Sequence, residues 1–349
     1  MKKILAITSG KNTPSSRFRI RQHIDGLNKK GFYVTESCPP IDKNKSVPFL
    51  GKYNPRFYLP IYFVWQIIKI LQRISIIFRR KKYDYVWLNR ELLTGYYTLE
   101  GFLGEKVILD VDDAIWKNPP FGSFAAKKIA QRSYAIICGN DYLAEWFRQY
   151  NSNVYVIPTS VNVDKYKPRA VEYKSDIITL GWIGTHGNLK YVKLISSVLE
   201  NILSKYSFVK IKIVCDKKFD FINNNESVEY VEWSEINEIK NFQSIDIGLM
   251  PLDEDEWTKG KCSFKLLQHL SCGSMVVGSP VGMNKNILLG NVNGAYPATS
   301  TDEWFDILSY LIDNYEEYRD IYKYKTRDFI LENYASEKIL SELIRVFND

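Results

Sequence analysis

Short, nearly continuous apolar runs alternate along this chain with longer stretches whose apolar positions recur every three or four residues. That alternation predicts strands buried on both faces, with amphipathic helices covering them. In the first half the expected strands are Lys3–Thr8, the YDYVWL run that opens at Tyr83, Lys106–Val111, Tyr134–Cys138 and Val154–Ile157. A helix over Arg17–Lys30, stopped by Gly31, follows the first strand, and another runs from Asn140 to Tyr150. In the second half strands are expected at Asp176–Ile183, Val209–Cys215, Val228–Trp233, Ile245–Met250 and Met275–Val277. Helices fall between them, from near Lys190, over Glu235–Phe242 and over Phe264–Ser271. After Asp302 the pattern is helical only, including Tyr315–Tyr334 and Ser336–Phe347. The order predicts an α/β protein made of two doubly wound, Rossmann-like units.

One stretch breaks the pattern. After a loop rich in Pro, Lys and Asn over Pro39–Pro60, the chain from Phe57 to Phe78 carries only two charges, Lys69 and Arg73, and Arg79–Lys82 are four consecutive cations. Its length approaches that of a membrane span, about 20 apolar residues. Lys69 and Arg73 share one helical face and a buried strand follows, so an interfacial helix or an ordinary sheet-covering helix fits better than a span. Tyr62, Phe63 and Trp65 are residue types suited to a headgroup region.

Composition sharpens this picture in three ways. The 349 residues, 45% hydrophobic, suffice for two domains with full cores. Five cysteines without CxxC or Cys/His spacing read as buried thiols in a reducing compartment, and the apolar start MKKILAITSG is too short for a signal peptide. The net charge of +7 is divided unevenly: residues 1–170 hold 28 Lys and Arg against 13 Asp and Glu, and residues 171–349 hold 19 against 27. The first half is therefore expected to face something acidic, such as a membrane surface or a lipid diphosphate. Nucleic acid is disfavoured, because the aromatics lie in apolar runs and do not alternate with the cations.

Candidate chemistry collects where loops open helices. KGKCSFKLLQHLSCGSMVVGSPVG, Lys259–Gly282, places Lys259, Lys261 and Lys265 around the start of a short helix, where unpaired backbone N–H groups and the helix dipole favour an anion. A solvated basic helix start is the bland alternative. GWIGTHGNLKYV brings Gly181, Gly184 and Gly187 to a helix start with Asn188 as its expected cap and Lys190 beside it, a phosphate pattern. Thr185 and His186 lie in the same loop. The first turn, GKNTPSSRFR, lacks GxGxxG, which removes support for dinucleotide binding there, but it holds Ser15, Ser16, Arg17 and Arg19 at a helix start. Asp110, Asp112 and Asp113 end a strand, where α/β proteins place chemistry, though Asp113 could simply cap the next turn. The run Asp253–Glu256 reads as a solvated acidic loop, with Trp257 beyond it a better platform for a sugar or base.

Together these stretches resemble the retaining GT-B glycosyltransferases, family 4 in particular. The resemblance rests on IPTSVNVDKYKP, similar to the family's hinge signature, on the glycine loop with Lys190, and on the Lys259–Gly282 stretch. It implies two Rossmann-like domains facing across a cleft, over 1–168 and 169–330, with a C-terminal helix at 331–349 crossing back. It implies donor contacts at Gly184, Thr185, His186, Lys190, Lys261, Ser263, Phe264, Lys265, Gln268 and Gly282, and acceptor or phosphate contacts at Ser16 and Arg17. Asp112 and Asp113 fall on the family's His-Asp pair and, with Lys190, become the catalytic candidates. Two departures stand out: the family's paired glutamates fall on Gly260 and Gln268, which removes one sugar contact and leaves the ribose an uncharged partner.

The implied activity is transfer of a sugar from a UDP- or GDP-sugar to a saccharide or polyprenyl-diphosphate-linked acceptor, retaining, without metal or other cofactor. A bacterial surface polysaccharide pathway and a cytoplasmic, membrane-peripheral location go with it. The rival reading is a GT-B-like binding or scaffold protein that has lost catalysis, which Gly260 and Gln268 favour.

Overall fold

The computed structural model describes residues 1–48, 59–169, 176–217 and 225–348. The first residues of the apolar stretch, with part of the loop before it, fall at 49–58, and the start of the second domain after Pro168 falls at 170–175; both lie outside the described residues. The chain divides into two compact units, Met1–Ser160 with Ser336–Asp349, and Val161–Ala335.

The first unit is built on strands β1 (Lys3–Ile7), β2 (Tyr33–Ser37), β3 (Tyr85–Asn89), β4 (Val107–Val111), β5 (Ala135–Cys138) and β6 (Val154–Val156). They form one parallel sheet in the order β2-β1-β3-β4-β5-β6. β3, β4 and β5 are buried along their whole length, as their mainly apolar sequences require, with Asn89 and Asp110 the polar residues among them. The helix Ser336–Asn348 closes the core: Ile339, Leu343, Val346 and Phe347 join Ile4, Trp87 and Ile137, and the Phe347 ring meets Trp87 edge-on at 5.3 Å.

The second unit repeats the plan with β7 (Ile178–Gly184), β8 (Val209–Cys215), β9 (Val228–Glu232), β10 (Ile247–Met250), β11 (Met275–Gly278) and β12 (Ala295–Pro297). The order is β12-β11-β10-β7-β8-β9, all parallel. Its core gathers Leu180, Ile211, Leu249 and Val277 with Val198, Leu199 and Ile202 of helix Ser196–Lys205, and with Trp304 and Leu308 of helix Thr301–Asp313.

In each sheet the chain first builds outward in one direction and then returns to the other side of its starting strand. The reversal leaves a crevice at the carboxyl ends of β1 and β3 in the first unit, and of β7 and β10 in the second, which is where open α/β sheets hold their ligands.

The edge strands β2 and β12 were not expected. Only Val34 and Ser37 of β2 are buried, and β12 is three residues long, so neither leaves an apolar run to read. The helix expected over Arg17–Lys30 begins as a π-helical turn, Ser16–Arg21, before becoming regular over Gln22–Lys29. All five cysteines are free, but Cys38 is exposed while the other four are buried, a correction to their common reading. The apolar stretch folds as helices Leu59–Leu71 and Ile74–Arg79 and a tight turn Arg80–Lys82, with Lys69 and Arg73 turned inward.

Candidate functional site

The second unit's crevice collects most of the residues singled out from the sequence. β7 ends at Gly184, where a Cβ would strike the Trp182 ring, so the strand must end on glycine for the indole to lie across it. The next residues wind through a short turn, His186–Asn188, into the one-turn helix Leu189–Val192. Asn188 makes no side-chain cap there, contrary to expectation: its amide donates to Thr185 Oγ1 and its Oδ1 accepts from Lys261 Nζ at 3.3 Å. Lys190 and Lys261 both approach the Tyr191 ring, at 4.8 and 5.7 Å, and Lys265 lies over the Trp182 ring at 5.9 Å. Burial, with Lys261 adding to it, pulls the Lys265 ammonium down to about 8.

The loop before helix Phe264–Ser271 is held by a capping box, in which Asp255 accepts from Thr258 N at 2.7 Å and Thr258 Oγ1 accepts from Asp255 N. The segment expected as loop from Lys259 therefore starts as a one-turn helix, Glu256–Lys259, with Trp257 half-buried on it. Gly282, at φ 54, abuts the Lys259 backbone, where any Cβ would lie 2.7 Å from the carbonyl oxygen. Ser263 opens the eight-residue helix in the left-handed region, φ 51, an uncommon state for a residue with a side chain. Its hydroxyl is buried without a hydrogen-bond partner, and so is Gln268 Nε2 one turn on. Buried polar atoms are nearly always satisfied, so two orphans at a helix mouth ringed by lysines mark a place for a ligand rich in oxygen. Phe264 is half-buried beside them.

His186 is engaged with Asp216, which follows β8 directly: Asp216 accepts from the His186 backbone N–H at 2.6 Å and pairs with Nδ1 at 2.9 Å. Burial would raise the Asp216 carboxyl, but these bonds outweigh it and hold it below its usual value. The loop thus already carries one anion of its own.

The first unit's crevice is more closely wired. Ser16 accepts from the Ser9 backbone N–H at 2.9 Å, and the hydroxyls of Ser9, Ser15 and Ser16 all reach Asn89 Oδ1 within 3.3 Å. Arg17 stacks its guanidinium over Phe18. Arg19 bonds Asp110 at 2.7 Å with both side chains buried, and Trp87 Nε1 donates to the other oxygen of Asp110. Asp110 is therefore spoken for inside the core.

Asp112 and Asp113 share one partner. Arg90 reaches Asp112 through Nε and Asp113 through a terminal nitrogen, each at 2.6 Å. Arg90 itself sits at φ 59, so the backbone is bent into the left-handed region to deliver the guanidinium. Burial pushes the Asp112 carboxyl up, Arg90 pulls harder, and the net value lies below the usual one. The turn after Asp113 is closed by its backbone carbonyl, which accepts from Ile115 N, while its carboxylate goes to Arg90. Among the described residues no group of three or more His, Cys, Asp and Glu side chains is arranged to hold a metal ion.

No protein-family model and no curated protein sequence matches the chain. Solved structures do. Sucrose-phosphate synthase from Thermosynechococcus elongatus matches with a TM-score of 0.72 and 12% identity over 100% of this chain and 98% of that one. Anabaena Alr3699/HepE in complex with UDP-glucose matches with a TM-score of 0.68 and 12% identity over the whole of both chains. The trehalose-6-phosphate synthase OtsA matches with a TM-score of 0.68 and 10% identity over 100% and 99%. The chain has the GT-B fold. At such identities the likeness speaks for the fold alone, and within it the residues above must be judged by their own chemistry.

On that ground, Lys190, Lys261, Lys265, Ser263 and Gln268 meet around one GT-B crevice, with Gly184 and Gly282 shaping it. Ser16 and Arg17 belong to the other unit, where the Ser16 hydroxyl is already engaged. Three residues were missed. Asn89 ends the buried β3 and Arg90 follows it, in the polar triplet Asn89-Arg90-Glu91, and Asp216 follows Cys215 at the end of β8. In each case a polar residue at the carboxyl end of a buried strand was the available signal.

Proposed function

We propose that the chain transfers a sugar from a nucleotide diphosphate sugar, UDP-sugar in the first instance, to a lipid-linked or growing saccharide, with retention and without a metal. The observation that carries this reading is the pair of orphaned buried groups, Ser263 Oγ and Gln268 Nε2, at a helix mouth shared with Lys190, Lys261 and Lys265. HepE, of the same fold, was solved with UDP and glucose and with UDP-glucose, which supports uridine as the base.

In the reaction the bond between the sugar's anomeric carbon and the β-phosphate oxygen breaks, and the electron pair leaves with the nucleoside diphosphate. The acceptor oxygen bonds the anomeric carbon and gives up its proton, which the departing diphosphate oxygen takes up. The developing charge on the diphosphate is the main electrostatic demand, and three lysines with a helix N-terminus can meet it. In this reading Gln268 bonds the ribose hydroxyls, and Ser263 an oxygen of the diphosphate or sugar; their unpartnered buried groups support it. In the first unit Asp112, kept anionic by Arg90, is a weak base, and it and Asp113, both held by Arg90, are fixed acceptors for a sugar hydroxyl. A cation would have to displace Arg90 to use them, which supports metal independence. The basic first unit supports an acceptor carrying phosphate, such as a polyprenyl diphosphate saccharide of a bacterial surface polysaccharide pathway.

The test is a thermal-shift series with UDP, GDP, ADP, TDP and CMP, each with and without EDTA. Ligand at a hundred times its dissociation constant adds roughly 2.7 kcal/mol to stability. A shift with UDP that survives EDTA and is cut to about half or less in Lys190→Ala is the expected outcome; no shift with any of them refutes the donor site. Gln268 and Gly260 in place of two carboxylates keep a non-catalytic, nucleotide-binding reading in view. UDP binding without any turnover of UDP-sugars in the presence of saccharide acceptors would select it.

A further inference from the structure

Helix Leu59–Leu71 and its continuation Ile74–Arg79 are inverted with respect to an ordinary surface helix. Lys69 and Arg73, one turn apart, are 6% and 3% exposed, and their cations donate to the carbonyls of Lys43 and Thr8, each at 2.7 Å. Gln72 bonds both the N–H and the carbonyl of Ile41, and Trp65 Nε1 donates to the Lys45 carbonyl. The polar side of the helix thus grips the body of the first unit.

The outward side is apolar. Phe63, Ile67, Leu71, Ile74 and Phe78 follow one another at spacings of three and four, forming a continuous exposed stripe with Val64 and Ile68 beside it. Phe63 and Phe78 are 66% and 68% exposed. Between Leu59 and Tyr83 there is no acidic residue, and the stripe ends at Arg79, Lys81 and Lys82, all exposed. A soluble helix places its apolar stripe on the core; this one spends buried cations to do the reverse.

We propose that the Phe63–Phe78 stripe and the Arg79–Lys82 cations form a docking face for an anionic lipid bilayer, with the helix lying in the headgroup plane. A bilayer offers both requirements at once, an apolar layer for the stripe and negative charge for the cations beside it. The helix is long enough to span, with 24 residues from Leu59 to Lys82. Spanning would tear Lys69, Gln72 and Arg73 from backbone groups of the sheet's surroundings, so the helix lies in the surface instead. The face stands independently of the reaction proposed above.

The full-length protein is tested by flotation with phosphatidylcholine vesicles, with and without phosphatidylglycerol. Binding should require the anionic lipid and weaken with added salt. Phe63→Ser with Phe78→Ser should lower partitioning about tenfold or more, and Lys81→Gln or Lys82→Gln about fivefold each. Unchanged urea midpoints establish that these exposed substitutions leave the fold intact. Failure to bind either vesicle overturns the proposal, as does binding that ignores both the anionic lipid and the lysines. A concentration-dependent dimer, dispersed by the phenylalanine substitutions and unaffected by vesicles, would assign the stripe to a second copy. Vesicle binding that resists alkaline carbonate would assign the helix to a span; either result replaces the bilayer-surface reading.

Discussion

The carboxyl edges of the two sheets have the same topology and opposite electrical states. At the first, the charges are matched within the structure: Arg90 with Asp112 and Asp113, Arg19 with Asp110, Lys43 with Glu91. At the second, three lysines gather round Tyr191 and Trp182. Buried polar atoms without a hydrogen-bond partner occur at both edges, Asn89 Nδ2 and Glu91 Oε2 at the first and Ser263 Oγ and Gln268 Nε2 at the second, so the contrast lies in the lysines. Yet the first unit is the basic one, with 27 Lys and Arg against 15 Asp and Glu, and the second is acidic, with 20 against 25. Net charge over a unit therefore says little about the charge at its site. The second unit concentrates a minority of cations where a diphosphate is proposed to bind, while the first spreads its surplus elsewhere, in part along Arg79–Lys82.

The difference can be broken most forcefully at Arg90. Arg90→Ala strands two partly buried carboxylates and should cost about 3 kcal/mol or more in urea unfolding of the first unit. In the native protein Asp112 has a folded value below its unfolded one, so its contribution is full above pH ~4 and fades as the pH falls through the folded value. The substitution should reverse that slope: acid protonates the stranded carboxylates and restores stability. A variant as acid-sensitive as the native protein would show that Arg90 does not govern the pair.

Opening the second edge is a matter of ligand, not of fold. Lys190→Ala removes a charged contact worth about 1.5–3 kcal/mol, so UDP affinity by calorimetry should fall by tenfold to a hundredfold with the urea midpoint unmoved. A lowered midpoint with unchanged affinity would place Lys190 in the structure and not in the site.

Lys265 gives a smaller, pH-dependent handle. Its folded value of about 8 lies below that of a free lysine, so the folded state holds fewer protons between pH 8 and ~10.5 and stability rises with pH across that window. Lys265→Met should then stabilise by about 1 kcal/mol at pH 7, discounted for partial exposure, and the gain should vanish above pH ~10.5. UDP affinity should fall as pH rises through 8 in the native protein and lose that dependence in the variant. The smallest effect is expected at His186→Ala, where a half-exposed pair with Asp216 is worth roughly 0.2–1 kcal/mol. Asp216→Asn, which takes an anion out of the loop, should tighten UDP binding slightly.

The strands with unbroken apolar sequences, such as Ile178–Gly184 and Met275–Gly278, were legible because burial on both faces leaves no other pattern. The edge strands β2 and β12 were not, because short, partly buried strands give periodicity little contrast, although the opposite edges β6 and β9 were expected. Around the second unit's crevice the residue types could be read, Lys190 and Lys265 among them, since lysines beside glycines at helix starts are a local signal. What could not be read is who meets whom. Tyr191 receives two lysines from different loops, and Arg90 joins Asp112 across neighbouring strands, contacts fixed by strand order and not by spacing. The left-handed backbone at Arg90 and Ser263 was hidden for a simpler reason: both positions carry side chains, and a search for such turns looks for glycine. The apolar helix was read correctly in composition, with its cations on one face; that this face turns inward needed the sheet beneath it.

The helix Ser336–Asn348 has a consequence in time as well as space. It completes the first unit's core with Phe347, although the residues of the second unit separate it along the chain from every strand it covers. A ribosome therefore delivers all six strands of the first unit long before the piece that seals them. At roughly 5–20 residues per second the wait is on the order of ten seconds or more. The second unit, continuous in sequence, can finish folding within that interval, so the protein assembles from its middle outward, and the nascent first unit is the part that waits with its core unsealed.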